Sequence, residues 1–386
     1  MFESSSKVQK ASVLILPSKI SWTKNEKPSK TSKKLIFNSL LIFLALHGLC
    51  LANQRPYHTF LKFLAVFYHI LWLIGAIGTM SCLIQLPSSF YTFSAVVKVV
   101  TLCKWWILFR TRIRIYYFIR ALDRLHIQLI GQSPSFHKTL KIALFILVLF
   151  IFGPGINNVY NTITKDTVVA NCFHVHIPLP NKAARAVAYF LIQTNHQLIN
   201  WSLSYLVNLL IIFCCLELGQ LIDALAKNAN RNFDETLLGI HQQLFDTILM
   251  MEDCLSLTCF FVLIRLYMEF FRIFSLLFNF VRGKSQSVSV FNASMYSVIT
   301  GALFVFMIFA ADNVQKRFNS LQRSLVKKSV QRELSQGKSL SGFQSLVWGE
   351  SIVLTGWGIF ELKKKLLLST LASLITYGVL LQQLQQ

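Results

Sequence analysis

Seven apolar stretches, each long enough to cross a lipid bilayer, constrain this chain more than any other feature. Crossing a hydrocarbon core of about 30 Å takes roughly 17–25 helical residues. Stretches of that kind run over 63–83, 90–108, 142–160, 186–216, 255–281, 291–311 and 366–384. Backbone polar groups inside a bilayer must be satisfied within the segment, which leaves the helix as the spanning form for runs this long. The expected fold is an all-α membrane protein with seven transmembrane helices. Two further apolar stretches compete, 35–51 and 346–360. The second is short and interrupted by Glu350, so it reads as a cytoplasmic approach to the last span. Composition agrees with this class. Charged residues make up 14% of the chain, where a soluble domain carries about 25%. The first 34 residues are polar and Lys-rich and lack the early apolar core of a cleavable signal peptide.

A net charge of +22 can mark a nucleic-acid-binding protein. Here the charges lie between the apolar stretches, form no basic domain, and accompany no zinc-finger, helicase or RNA-binding pattern. They act instead as topology signals. With seven spans and a cytoplasmic N-terminus, the inner segments carry 26 Lys/Arg and the outer segments 5, the asymmetry that the positive-inside rule demands. Letting 35–51 span would push either the Lys-rich start or the basic cluster over 112–138 outside. That stretch is therefore expected to be an interfacial helix on the inner leaflet, and the C-terminus is expected to be extracellular. The organisation follows: 1–61 as cytoplasmic N-terminus with interfacial helix, 62–312 as spans one to six, and 313–386 as a cytoplasmic anchor segment with the last span. A G-protein-coupled receptor has the opposite polarity, and Asp123-Arg124 falls in the wrong loop for that class.

Proline placement marks the boundaries. Only Pro154, in Gly153-Pro154-Gly155, falls inside a span, near the outer end of the third, where a missing donor breaks or kinks a helix. The longest outer loop follows and closes with Pro178 and Pro180. Past the fourth span, Leu237, Ile240, Leu244, Ile248 and Met251 recur at helical spacing after the potential N-cap Asp234. That apolar stripe needs a cover, either the membrane surface or a partner. Of the cysteines, Cys82 and Cys172 lie near the oxidising side, where a disulfide and two separate thiols are both open readings. His174 and His176 form a loop pair without a third ligand, so no metal site is assigned. No phosphate loop or nucleophile motif is present, so an enzyme is not expected and no cofactor is implied.

Polar side chains inside a bilayer mark function or interhelical hydrogen bonding. At 100° per residue, Tyr189, Gln193, His196, Gln197, Asn200, Ser204 and Asn208 share one stripe of the fourth span. Facing lipid, they would leave several polar groups unpaired, so the stripe must face the bundle or a cavity. Because its upper part points to the outer side, a pocket lined by Asn157, Tyr160, Gln193, His196, Gln197, Asn200, Trp201 and Tyr296 is expected. On the fifth span, Arg265, Glu269 and Arg272 are spaced so that the carboxylate meets either guanidinium. Lys104 of the second span can snorkel inward, whereas Lys98 near mid-span needs a partner. On the last span, Ser369, Ser373, Thr376, Leu380 and Gln383 recur at intervals of four and three, a narrow polar stripe.

The end of the chain reads Thr376-Tyr377, five residues, then Gln383-Leu384, after Gly356-Trp357-Gly358-Ile359-Phe360 and Leu366-Leu367-Leu368. This tail resembles the C-terminal signature of insect gustatory receptors, Thr-Tyr, five mostly apolar residues, Gln-Phe. The chain departs from it with Leu384 for Phe and with the polar Gln382. The resemblance implies a seven-span receptor of inverted topology that acts as a tastant-gated, nonselective cation channel. It places such a channel in the plasma membrane of chemosensory neurons, with sensory dendrites as the site and membrane lipid around it. It implies a homo- or heterotetramer with other gustatory receptor subunits, joined at a cytoplasmic anchor, and a pore lined by Thr376, Leu380, Gln383 and Leu384. An odorant receptor subunit of the same superfamily is the alternative. A secondary transporter fits less well, since the chain has one interruption at Pro154 and no internal repeat. Aromatic residues at the outer ends of the fifth and sixth spans lean toward a bitter-type ligand.

Overall fold

The computed structural model describes residues 38–47, 49, 58–85, 89–131, 136–165, 181–231, 235–281, 287–336 and 352–384, all within the compact unit Leu35–Gln386. Among them the chain forms α1 (Asn38–Leu46), α2 (His58–Gln85), α3 (Ser89–Leu129), α4 (Phe136–Lys165) and α5 (Lys182–Gln197). A single π turn, Leu198–Ser202, then leads into α6 (Leu203–Arg231), α7 (Glu235–Val281) and α8 (Ser287–Gln336). A two-stranded hairpin, β1 (Thr355–Gly356) and β2 (Phe360–Glu361), precedes α9 (Lys364–Leu384). Helix covers every one of the seven apolar stretches. Among the described residues, four helical segments are long and apolar enough to cross a membrane: Thr92–Leu129, Asn200–Arg231, Thr236–Leu277 and Ser294–Gln331. Shorter apolar windows lie in α2, α4 and α9.

The core is built around α6. Its residues from Leu203 to Cys215 are all buried, as expected for a helix that is apolar on every side and so requires neighbours on every side. Those neighbours are α1, α3, α7 and α8. The most extensive packing in the bundle joins α3 to α7.

With 47 and 50 residues, α7 and α8 reach roughly 70–75 Å at 1.5 Å per residue. That is more than twice a bilayer core, so both project well beyond it. On the projecting part of α7, Leu237, Leu244, Ile248 and Met251 are buried. His241 stacks on Phe318 of α8 and Phe245 lies tilted against it, with ring centroids 5.3 and 6.1 Å away. The cover that the apolar stripe requires is supplied by the same subunit. Asp234 lies outside the described residues. Lys328 of α8 donates to the Ala229 carbonyl at 2.8 Å and to Asn230 Oδ1 at 2.6 Å, capping the C-terminal end of α6 where carbonyls lack helical partners.

Three features depart from the sequence expectations. First, α1 sits in the bundle, where the basic-residue count placed an interfacial helix. Leu40, Leu44, His47 and Leu49 are buried, Trp105 Nε1 donates to the His47 carbonyl at 2.9 Å, and His47 Nε2 meets Ser202 Oγ. The polar His47 finds those partners only inside the protein. Second, α4 continues through Pro154 to Lys165 without a break in the helix. Third, the stretch expected as a plain lead-in to α9 ends in the hairpin. Cys172, His174, His176, Pro178 and Pro180, with the Cys82 side chain, fall outside the described residues.

The hairpin is clipped to α7. Glu252 accepts from the Thr355 amide at 2.9 and 3.1 Å and also holds the Thr355 hydroxyl. The Trp357 amide donates to Ser256 Oγ at 2.7 Å. Trp357 and Gly358 both adopt left-handed backbone, with φ of 54° and 68°, a conformation open to glycine and costly for tryptophan. Gly356 is needed for another reason: a Cβ there would lie 2.2 Å from the Phe360 ring. Lys363 and Lys365 pair with Glu361 at 2.8 and 3.2 Å, and these contacts hold its carboxyl below the usual carboxylate range.

Candidate functional site

The site grows from α7, whose spacing of four and three places Arg265, Glu269 and Arg272 on one face. Glu269 bridges the two guanidiniums: Arg265 Nη2 lies 3.4 Å from Oε1 and Arg272 Nη2 lies 2.7 Å from Oε2. Arg265 Nη1 reaches across the bundle and donates to Thr101 Oγ1 of α3 at 2.7 Å and to Ser204 Oγ of α6 at 2.6 Å. Lys104 Nζ donates to the same Ser204 hydroxyl. One serine therefore accepts from two cations, and three helices are tied at one point. Lys104 is fully buried on this partner, a correction to the inward snorkelling expected of it. Lys98, further along α3, donates to the Gly75 carbonyl of α2 at 2.5 Å.

Three cations and a carboxylate are buried together in this cluster. Lys104, Arg265 and Arg272 are 0%, 1% and 8% exposed, and among the described residues Glu269, at 0%, pairs with both arginines. Desolvating an ion costs several kcal/mol even after relaxation, and the mutual attraction of a pair repays this only when the pairing is complete. Glu269 meets each arginine through one nitrogen.

An aromatic wall completes the site. The Trp201 ring stacks on Tyr296 with centroids 4.4 Å apart and on Tyr205 at 6.3 Å. The guanidinium carbons of Arg265 and Arg272 both stand 5.1 Å from the centroid of the same indole, within cation–π range. The Tyr205 hydroxyl donates to the Tyr296 carbonyl at 3.5 Å. Gln197 and Asn200 are buried beside this wall. The hydroxyl of buried Tyr68 and the Oε1 of Gln197 have no partner among the described residues.

Local backbone geometry puts these side chains together. The π turn Leu198–Ser202 interrupts the α5–α6 helix at the functional residues. Such a turn inserts one extra residue per ring, shifts every later side chain around the axis, and is frequent at functional sites. Asn200, Trp201 and Ser202 of this turn are all buried.

Of the expected pocket residues, Gln197, Asn200, Trp201 and Tyr296 are buried in this region. Tyr160, on α4, is 60% exposed. The side chains of Asn157, Gln193 and His196 lie outside the described residues. Sequence reasoning left out Thr101 and Tyr205, although Thr101 is one turn from Lys104 and Tyr205 one turn from Trp201.

On α9 one narrow face, Thr370, Leu374 and Gly378, is buried. A Cβ on Gly378 would come within 3.3 Å of the Phe274 ring, so α9 lies close against α7. Thr376, Leu380 and Gln383 are exposed, and the Leu384 side chain is outside the described residues. At 100° per residue the stripe Ser369, Ser373, Thr376, Leu380, Gln383 is centred about 140° from the packed face, with Ser373 half-buried. It adjoins a second exposed face formed by Leu368, Leu371, Ile375 and Val379, with Val379 and Gln383 four residues apart.

No protein-family model and no curated protein matches this chain. Among solved structures it is similar to the insect olfactory receptor OR5 from Machilis hrabei, at 15% identity and a TM-score of 0.49, with 90% of this chain and 97% of that chain covered. It is also similar to the same receptor in complex with eugenol, at 16% identity and a TM-score of 0.44 over the same shares.

Proposed function

We propose that this chain is a subunit of a ligand-gated, nonselective cation channel of the insect chemoreceptor type, with seven spans, a cytoplasmic N-terminus and an extracellular C-terminus. The observation that carries this reading is the division of α9 into three faces: one packed on α7 and α8, one apolar, and one polar and exposed. A helix at a protein–lipid boundary has no use for the polar face. In a symmetric assembly, each of its residues becomes a ring around the axis. Rings of Leu380 would close the path by dewetting, and the amides of Gln383 would offer carbonyl dipoles to a cation beside them. The Trp201 site would then serve as the pocket for a small molecule, enclosed within one subunit, with Gln193, His196, Asn157 and Tyr160 on the approach to it.

The Thr376-Tyr377 tail favours the gustatory branch, with a tastant as ligand and homo- or heterotetrameric assembly in the plasma membrane of a sensory dendrite. An odorant receptor subunit is the second reading, and the similar solved structures are olfactory receptors. The ligand profile separates the two.

The test is ligand-evoked current in a cell lacking other chemoreceptors. Leu380→Ser is expected to produce ligand-independent leak, and Gln383→Glu to shift relative permeability toward divalent cations. If both variants conduct like the parent, α9 does not line the pore and the proposal fails.

A further inference from the structure

Four segments of the chain meet at one level of the bundle, the inner end of the spans under the proposed topology. Asp253 and Ser256 of α7 lie on either side of residue 255, where the fifth span begins. Arg114 of α3 pairs with Asp253 at 3.0 Å, and the Trp357 amide of the hairpin donates to Ser256 Oγ at 2.7 Å. In the first turn of α9, Lys364 holds its ammonium 4.7 Å from the centroid of the Phe309 ring of α8, close to residue 311, where the sixth span ends. On α7, Asp253, Ser256 and Phe260 fall within about 60° of one another. Arg114 and the hairpin therefore flank one face of that helix.

The hairpin tip points away from the bundle. Trp357 and Ile359 are 58% and 63% exposed, and the Trp357 ring lies tilted against Phe260 with centroids 5.1 Å apart. The tryptophan keeps a left-handed backbone, φ 54°, that glycine would adopt without cost. A bulky residue held in that region marks a constraint on its side chain, and with more than half of the residue exposed, packing within the subunit does not supply one. Three lysines follow the tip. A single oxygen, Glu361 Oε2, serves both Lys363 and Lys365, at 2.8 and 3.2 Å. Lys364 has the Phe309 ring and no carboxylate among the described residues.

An exposed indole beside ammonium groups, at the depth where spans begin and end, matches a lipid headgroup layer. Aromatic rings sit at that boundary, long basic side chains reach the phosphates, and the anionic cytoplasmic leaflet attracts juxtamembrane lysines. A second copy of the chain complements the tip less well, because in a symmetric ring each copy brings the same basic residues to the same depth. We propose that the β1–β2 hairpin docks on anionic phospholipid of the inner leaflet, with Trp357 and Ile359 seated in the headgroup layer and Lys364 and Lys365 on a lipid phosphate. Glu252 and Ser256 clip the hairpin to α7, and Lys364 opens α9. An occupied site thus fixes the base of α9 against α7. The inner leaflet follows from the proposed topology; ion conduction plays no part in the inference.

The test reads the hairpin itself. Full-length protein is placed in nanodiscs of phosphatidylcholine alone or of equal parts phosphatidylcholine and phosphatidylserine, and amide exchange over 355–361 is followed by mass spectrometry. Both leaflets carry the same lipid, so the direction of insertion does not affect the readout. Phosphatidylserine is expected to slow exchange about five-fold. Lys364→Gln combined with Lys365→Gln is expected to exchange alike in both lipids, and Lys364→Arg combined with Lys365→Arg to keep the slowing. Trp357→Gly, which relieves the backbone strain and so should fold, is expected to lose most of it. Equal exchange of the parent in the two lipids would overturn the proposal. If that exchange is slow in both and quickens when one subunit is isolated per nanodisc, a second copy covers the hairpin instead. Slowing that survives the glutamine pair or Trp357→Gly would overturn the assigned residues. Inorganic phosphate acting as strongly in phosphatidylcholine nanodiscs would overturn the lipid assignment.

Discussion

Replacing Glu269 by glutamine isolates the electrostatic logic of the buried cluster. The substitution keeps the volume and removes the carboxylate that bridges Arg265 and Arg272. Both ion pairs, at 3.4 and 2.7 Å, are lost together. Breaking a buried pair by removing one partner costs about 3–5 kcal/mol, because a desolvated charge remains. Arg265 keeps its bonds to Thr101 and Ser204, which places the loss within that range despite two stranded cations. For 386 residues, an unfolding entropy of about 2.1 cal/mol/K per residue gives about 0.8 kcal/mol/K, so the melting temperature should fall by about 4–6 °C. Arg272→Gln breaks one of the same pairs but removes the cation with it, and Glu269 keeps Arg265. Its cost should be near that of an ordinary hydrogen bond, about 0.5–1.5 kcal/mol. Thermal unfolding of both purified variants, followed by tryptophan fluorescence in nanodiscs without added ligand, compares them directly. Equal losses, or a larger loss for Arg272→Gln, would refute the claim that Glu269 holds both guanidiniums.

Lys104→Met removes a buried cation while filling much of its volume, and Ser204 still accepts from Arg265 at 2.6 Å. Stability is therefore expected to hold or rise, by up to about 1 kcal/mol, and a melting temperature more than 3 °C below the parent's would contradict that expectation. Gly356→Ala forces a methyl to within 2.2 Å of the Phe360 ring, an overpacking worth about 1–3 kcal/mol. Hydrogen exchange at the Thr355 and Trp357 amides should speed up accordingly, and unchanged protection would show that the hairpin can relax at no cost. Tags test the proposed topology: one placed after Gln386 should be stained on intact cells, and one at residue 3 only after permeabilisation. The reverse pattern would remove the channel orientation.

The helical class was legible in the sequence because a bilayer forces the issue. Apolar runs of spanning length have one way to satisfy their backbone, and helix lies over each of the seven. The pairing of Glu269 with both arginines was legible too, since spacings of four and three on a helix fix which side chains meet. So was the inward-facing stripe of Gln197, Asn200, Ser204 and Asn208, all buried. What the chain order could not reveal is which residues of other helices answer those groups. Ser204 joining Lys104 to Arg265, the Tyr296 ring on Trp201, and His47 against Ser202 depend on helix positions set by packing across the whole bundle. The π turn was equally hidden, because it changes the helical phase without a distinctive residue pattern. The same holds for the apolar stripe of α7. Periodicity showed that it needed covering, and only the tertiary arrangement decided that Phe318 of its own chain covers it. Periodicity is local and survives in one dimension, whereas the choice of partner is a property of the packed whole.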